Sequence, residues 1–433
     1  MVQFRLTRRG FLRAAAAAVA APSVVPCSVL GADAPSNQIT MGCIGVGRQG
    51  SGNMQGFLDR VRVVAVCDVD AGRAQAAKQT VERRYAERLG NGVYKGCLAY
   101  GDFRDLLARR DIDTCLICTP DHWHTLPAVA AAQAGKDMYI EKPLTLTVPE
   151  GRVLSDAVRR YGRVLQVGSQ QRSDTRFRTA CELVRNGRIG KLHTVTVILA
   201  TDPGCGPEPT MPVPDGLDYD FWLGPAPLAA YTEKRVHPQR GYGRPGWLRI
   251  TDYSGGMMTG WGAHHNDIAH WGMGTEYTGP VEIEGTAEYP KDGLWDVHGK
   301  FHVEARYASG VRLVMHDGSD GVRFEGSDGW VFVKRGRLET EPKSILSETV
   351  GPEETRLYRS NDHKGNFLDC VRTRAEPVAN VEIGHRSATV CHLANIAMRL
   401  RRKLAWDPDR ESFVDDAEAD RIMVRTMRSP WTL

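Results

Sequence analysis

The apolar run from Ile39 to Ile44 feeds directly into Gly45-Val46-Gly47-Arg48-Gln49-Gly50, a complete G-x-G-x-x-G. A second apolar run, Val61 to Cys67, follows and stops at Asp68. The order strand, glycine turn, helix, strand, acid fits a dinucleotide. Gly45 permits the tight turn, and Gly47 lets backbone N–H groups approach a pyrophosphate. Gly50 lets the helix sit close on the strand, and the helix N-terminus faces the phosphates. Arg48 and Gln49 fill the variable positions of the turn and join the cofactor-binding set. Asp68 stands where a carboxylate accepts hydrogen bonds from an adenosine ribose. Its charge repels a 2′-phosphate, so NAD is favoured over NADP, with Arg73 as the nearby cation that argues the other way.

Strand and helix keep alternating after Asp68. Helical spacing covers 71–89, 103–109, 122–134 and 148–161, and apolar strands cover 114–118, 137–140 and 163–167. Such alternation predicts a parallel sheet with helices on both faces, an α/β Rossmann domain over 38–168. From Arg176 the texture changes. One helix (176–186) precedes strands with period-2 patterning at 193–200, 281–289, 297–307, 311–315, 321–325 and 330–334. The second domain, 169–433, is therefore expected to be α+β with an open-faced, mostly antiparallel sheet. A long glycine-, proline- and aromatic-rich segment, 202–280, separates its first two strands, and loops of that length are usually functional. Helical stretches at 366–374 and 387–400 are expected to pack back on the body.

Residues 1–34 read as an address. Thr7-Arg8-Arg9-Gly10-Phe11-Leu12-Arg13 is a twin-arginine pattern, followed by an alanine-rich stretch and an Ala32-Asp33-Ala34 cleavage-like site. The stretch is too short and alanine-rich to span a bilayer, so export to the periplasm or beyond is expected, without a membrane span. The net charge of +4 comes mostly from the arginines of this segment. The remainder is close to neutral, and nothing in that balance suggests a nucleic-acid surface. Cys43, Cys67, Cys115 and Cys118 fall within apolar strands, where cysteine acts as a small hydrophobe. Cys115 and Cys118 point to opposite faces of one strand, so no metal site is expected.

Three clusters carry chemistry. Thr119-Pro120-Asp121-His122-Trp123-His124 follows one strand, and Glu141-Lys142-Pro143 follows the next. Ligands bind beyond the carboxyl ends of parallel strands, so both clusters face the crevice of the glycine turn. The third is Gly260-Trp261-Gly262-Ala263-His264-His265-Asn266-Asp267-Ile268-Ala269-His270-Trp271. The glycine turn, the Thr-Pro…His turn, Glu-Lys-Pro and the downstream G-x-H-x-x-D-x-x-x-W together resemble the Gfo/Idh/MocA family, which includes glucose–fructose oxidoreductase and inositol dehydrogenases. The resemblance spans Gln38 to Ser429-Pro430-Trp431.

That resemblance implies a Rossmann domain plus an open-faced sheet domain, NAD(P), and hydride transfer at a secondary alcohol of a sugar or polyol. It places Lys142 at the family's active-site lysine and His264 at its catalytic histidine. The chemistry makes the same demand. A sugar hydroxyl that loses hydride from its carbon must also lose its proton, which needs a base and a donor on the oxygen. His264 suits the base and Lys142 the donor. The family often has Asp four residues before that histidine, where this chain has Gly260. Asp267 or Asp252 then stands as the substitute charge, with His265 as a candidate to share the proton relay. Trp123 and His124 wall the nicotinamide pocket, alongside Thr119, Pro120 and Glu141. Gln170, Arg172, Tyr242, Arg244 and Trp247 are the candidate substrate-binding residues, rings and forked donors being what sugars favour.

The leading expectation is an exported NAD-dependent oxidoreductase acting on a sugar, polyol or glycoside, with the cofactor held tightly and recycled on the protein. Two alternatives stay open: an NAD-dependent glycosidase working by transient oxidation and elimination, and a non-catalytic sugar-binding relative. An open-faced sheet commonly buries its free face, so a homodimer or tetramer is expected.

Overall fold

The apolar runs of the first third become parallel strands in a computed structural model that describes residues 38–90, 92–237 and 245–433. Thr40–Leu433 form one compact unit. The twin-arginine segment expected over 1–34 lies outside the described residues. β1 (Thr40–Ile44), β2 (Arg62–Cys67), β3 (Leu98–Tyr100), β4 (Thr114–Ile117), β5 (Asp137–Ile140) and β6 (Leu165–Val167) lie in the order β3-β2-β1-β4-β5-β6. All of these pairings are parallel. β4 and β5 are buried at every residue, as a sheet covered on both faces requires. Local signals set the helix ends. Ala71–Leu89 starts where the Asp70 carboxylate accepts from the Arg73 N–H and stops at left-handed Gly90. Val148–Arg160 starts where the Thr147 hydroxyl accepts from the Glu150 N–H, with Pro149 in its first turn. The strand order reverses between β1 and β4, which opens a crevice beyond the carboxyl ends of the strands.

The second sheet is built from β7 (Leu192–Leu199), β8 (Glu282–Ala287), β9 (Phe301–Arg306), β10 (Arg312–Asp317), β11 (Gly321–Gly326), β12 (Trp330–Lys334), β13 (Arg337–Glu341), β14 (Leu404–Asp407) and β15 (Ser412–Phe413). Their order is β13-β12-β11-β7-β10-β9-β8-β14-β15. In this sheet, among the described residues, only β7 and β10 pair in parallel. One face is the core: Val195, Val303, Leu313 and Phe324 pack against the helices Thr175–Arg185, Gly262–Met273 and Val381–Leu400. Each such side chain contributes on the order of 1.5–3 kcal/mol on burial. The other face carries Thr194, Thr196, Glu304 and Arg323, none of them fully buried.

The 202–280 segment departs most from expectation, because it contains the helix Gly262–Met273. That helix is buried almost all round, so it shows no amphipathic stripe for periodicity to detect. Its polar side chains are only partly met inside the core: Asn266 donates to Cys391 Sγ (3.3 Å) and His270 Nε2 lies 2.6 Å from the Tyr307 hydroxyl, whereas both ring nitrogens of His265, His270 Nδ1 and Asn266 Oδ1 have no hydrogen-bond partner among the described residues. The strand expected over 297–307 begins only at Phe301, and β13, β14 and β15 have no counterpart among the expected strands. The late helices begin earlier than expected, at His363 and Val381, because Asp362 and Asn380 cap them. Among the described residues no helix is long and apolar enough to cross a membrane.

Candidate functional site

A cleft of about 470 Å³ lies beyond the carboxyl ends of β1, β2, β4 and β5, with Gly45, Gly47, Arg48 and Gln49 along one wall. Its glycines are sterically required. Gly45 has φ +79°, and a Cβ there would stand 2.7 Å from the Cys118 carbonyl and the Thr119 nitrogen. A Cβ on Gly50 would come within 1.9 Å of the Gly45 oxygen, so the helix lies directly on the turn. Gly47 caps Arg48–Phe57 with no side-chain hydrogen bond, which leaves the first-turn N–H groups available to an anion. Asp68 closes this end. Its Oδ2 accepts from the Val46 N–H (2.9 Å) and its Oδ1 from the Asp70 N–H (3.0 Å). Burial pushes this carboxyl up, against the pull of those N–H groups and of Arg73. A glycine turn with no room for side chains, a helix N-terminus and a tethered carboxylate fit pyrophosphate and ribose.

The other end of the cleft is assembled from the turns after β4, β5 and β6. Thr119, Pro120, Trp123 and His124 come from the first, Glu141 and Lys142 from the second and Gln170 from the third. His124 ties two of them together, with Nδ1 2.7 Å from the Pro143 carbonyl and Nε2 3.0 Å from that of Thr119. Trp123 donates to the Trp222 carbonyl (2.9 Å) and packs edge-on against Trp431, so the chain's last residues seal this wall. Buried Glu141 accepts from Asn53 (2.7 Å), Gln49 (3.3 Å) and Gln170 (3.4 Å) through Oε1. It organises the surrounding amides through that one oxygen. Lys142 is half-buried, lines the cleft and has no ion-pair partner among the described residues.

The same cleft is lined by Gly260, Trp261, His264 and Arg335 of the second domain. Burial, then the charges of Lys142 and Arg335, pushes His264 well below the ordinary histidine value, so the ring is neutral near pH 7. Its Nε2 lies 3.4 Å from Arg335 Nη2, and the Arg335 guanidinium sits 4.6 Å above the Trp261 ring. Thr119 Oγ1, Asp121 Oδ2 and His264 Nδ1 are buried and have no hydrogen-bond partner among the described residues. Each such group costs on the order of 1–3 kcal/mol if left unmet. Three of them on residues lining one cleft are suited to a polar ligand.

Several expected site residues lie elsewhere. Arg172 is not in the cleft: its Nε donates to both Asp267 oxygens (2.9 and 2.7 Å), and both side chains are almost completely buried. Asp267 also accepts from the Ser387 hydroxyl (2.9 Å), so both partners are committed to the core, and Asp267 supplies no charge to Lys142. His265 is fully buried, stacks behind Trp261 and is pushed down to about 4 by burial. It does not line the cleft, which removes it from a relay. Asp252 is exposed and lines a separate cavity. Trp247 does line the cleft, whereas Tyr242 and Arg244 lie outside the described residues. The carboxylate that stands in the cleft under the influence of Lys142 is Asp121, 3% exposed. Burial pushes it up, against the pull of His124, Lys142 and Ser254. Its place in the turn after β4 was the available signal. Arg335 gave none, being a turn residue between β12 and β13.

Both halves of the chain match described families. Residues 39–169 match "Oxidoreductase family, NAD-binding Rossmann fold", and 204–433 match "Oxidoreductase family, C-terminal alpha/beta domain". The chain is 31% identical over 156 residues to inositol 2-dehydrogenase of Salmonella typhimurium, covering 35% of this chain and 42% of that protein. It is 32% identical over 206 residues to a glycosyl hydrolase family 109 protein of Shewanella baltica, covering 43% and 44%. The chain thus spans about half the length of the curated relatives it matches, or less. The fold is similar to that of the WlbA dehydrogenase from Bordetella pertussis, solved with NADH and UDP-GlcNAcA: TM-score 0.62, 18% identity, 86% of this chain and 99% of that one. With both domain models matched across nearly the whole of Thr40–Leu433, the chain belongs to the Gfo/Idh/MocA oxidoreductase family, whose NAD-binding Rossmann fold it carries.

Proposed function

We propose that this protein is an NAD-dependent oxidoreductase acting on a secondary alcohol of a sugar, polyol or glycoside. One observation carries the reading. Lys142, on the Rossmann side, and His264, from the second domain, line the same cleft as the glycine turn, and neither is engaged by an acid among the described residues. NAD bound in this cleft supplies the hydride acceptor and donor. The protein's own contribution is acid–base. His264 is held neutral by burial and by the cations beside it; its Nε2 lone pair faces Arg335 Nη2 (3.4 Å), and it takes the hydroxyl proton once the substrate oxygen displaces that contact. Lys142 holds the same oxygen and steadies the negative charge that develops as the proton leaves. Trp261 and Trp247 offer flat apolar faces to a sugar ring.

The twin-arginine pattern at Arg8-Arg9 supports export of the folded protein with its cofactor aboard. Outside the cytoplasm no pool of NAD replenishes a lost cofactor, so NAD stays bound and is recycled on the protein, by a second sugar or within one substrate. The outward face of the second sheet supports a homodimer or tetramer. A second reading, glycosidic cleavage through transient oxidation, draws on the likeness to the glycosyl hydrolase family 109 protein. Intact Glu141-Lys142-Pro143 weighs toward the dehydrogenase. A single screen separates them: protein carrying NAD is mixed with hexoses, inositols and aryl glycosides. Reduction of the bound nicotinamide by a free sugar or polyol supports the dehydrogenase, and nitrophenol release without net NADH supports the glycosidase. Neither signal with any compound contradicts both.

A further inference from the structure

The turn between β12 and β13 carries Arg335 to the mouth of the cleft, where the guanidinium lies over Trp261 and reaches His264. The acids whose charges reach it are Glu141, Asp174 and Asp320. Each has other partners. Glu141 is held by Asn53, Gln49 and Gln170. Asp174 caps the helix Thr175–Arg185 through the Arg176 N–H (2.8 Å) and lies 3.8 Å from the Arg176 guanidinium. Asp320 lies 3.5 Å from Lys334. Arg335 is exposed at the cleft and makes no ion pair among the described residues. Its position also differs from that of Arg172, a guanidinium placed over a tryptophan in the same way (4.9 Å over Trp271), which has Asp267 as counter-charge. Lys142 adds a second uncommitted cation in the same cleft. A forked guanidinium fixed on an aromatic face, with no protein acid to meet it, presents a site for a planar or tetrahedral oxyanion.

Building on the oxidoreductase reading above, we propose that the substrate is an acidic sugar, whose carboxylate or phosphate is bound by Arg335 while Lys142 and His264 act on its hydroxyl. Arg335 is then the residue that sets specificity, and Trp261 holds its fork in place. A neutral sugar leaves the guanidinium without a partner and loses that discrimination.

The test uses NAD-loaded protein and matched probes: glucose, glucuronate and glucose 6-phosphate, with the galactose set beside them. The expected result is an acid-to-neutral ratio of kcat/KM of at least about tenfold, collapsing toward one in Arg335→Gln and partly restored in Arg335→Lys. Preference for the uronate identifies a carboxylate, and preference for the 6-phosphate identifies a phosphate. A wild-type ratio at or below one, or a ratio that Arg335→Gln leaves unchanged, overturns the proposal. If none of the probes is turned over, ligand-induced thermal shifts of the NAD-loaded protein still decide this point separately from the oxidoreductase reading. A larger shift with an acidic probe than with its neutral parent, lost in Arg335→Gln, supports the Arg335 site. Equal shifts in both proteins contradict it.

Discussion

Asp267 and Asp121 are two buried aspartates that came from equally suggestive sequence clusters, and they have opposite surroundings. Asp267 is met by Arg172 Nε and the Ser387 hydroxyl. Asp121 leaves Oδ2 without a partner among the described residues, in a cleft that it shares with Lys142. A buried carboxylate paired with a guanidinium belongs to the architecture, and one with no ion pair, on a residue that lines the cleft, is the better candidate to act on a ligand. The histidines are separated by position: His264 and His270 each leave Nδ1 unmet, but His264 lines the cleft while His270 meets Tyr307 in the core.

The largest effect that sharpens this contrast is on stability. Arg172→Met strands the Asp267 carboxylate in the core and should cost about 3–5 kcal/mol, read as a lower Tm or denaturation midpoint. Arg172→Met combined with Asp267→Leu should recover much of the loss, because no charge is left unpaired. If the single variant is as stable as the parent, the pair is not the core element described above.

A smaller effect separates the two aspartates directly. Asp121→Asn removes a buried cleft carboxylate under the influence of Lys142 and should lower kcat about 10²-fold, the lower end for an acid–base group, without lowering Tm. Asp267→Asn should lower Tm while kcat of the folded protein holds. Reversed outcomes would break the comparison.

The smallest effect of any single substitution is on a pH dependence. Burial pushes His122 and His270 down to about 3, and His265, His363 and His392 down to about 4. The folded state therefore binds fewer protons than the unfolded chain below the ordinary histidine range. Stability from this source is present above about pH 6.5 and is lost as pH falls through it, by about 1 kcal/mol per histidine at pH 6. Replacing His270 with Phe should flatten part of that slope, and an unchanged slope would contradict the burial account.

Much of the first domain was legible because its signals are local. Gly45, Gly50 and Asp68 have roles fixed within one β-α-β unit, and the cluster after each strand end must face the crevice. The second domain was less legible for physical reasons. The helix Gly262–Met273 is buried on nearly every side, so its His, Asn and Asp read as a polar loop until their partners are known. Arg172 and Asp267 read as site residues because nothing in either segment announces the other. Arg335 enters the cleft only because the hairpin of β12 and β13 folds against Trp261, a contact between distant segments with no motif of its own.

The most direct test of the account is single-turnover reduction of bound NAD by a substrate found in the screen, comparing wild type with Lys142→Met and His264→Ala. The account predicts that both variants retain NAD and the parent's Tm to within a few degrees, and that each reduces it slower by about 10²–10³-fold. Reduction at the parental rate in both variants, with the cofactor still bound, would contradict it.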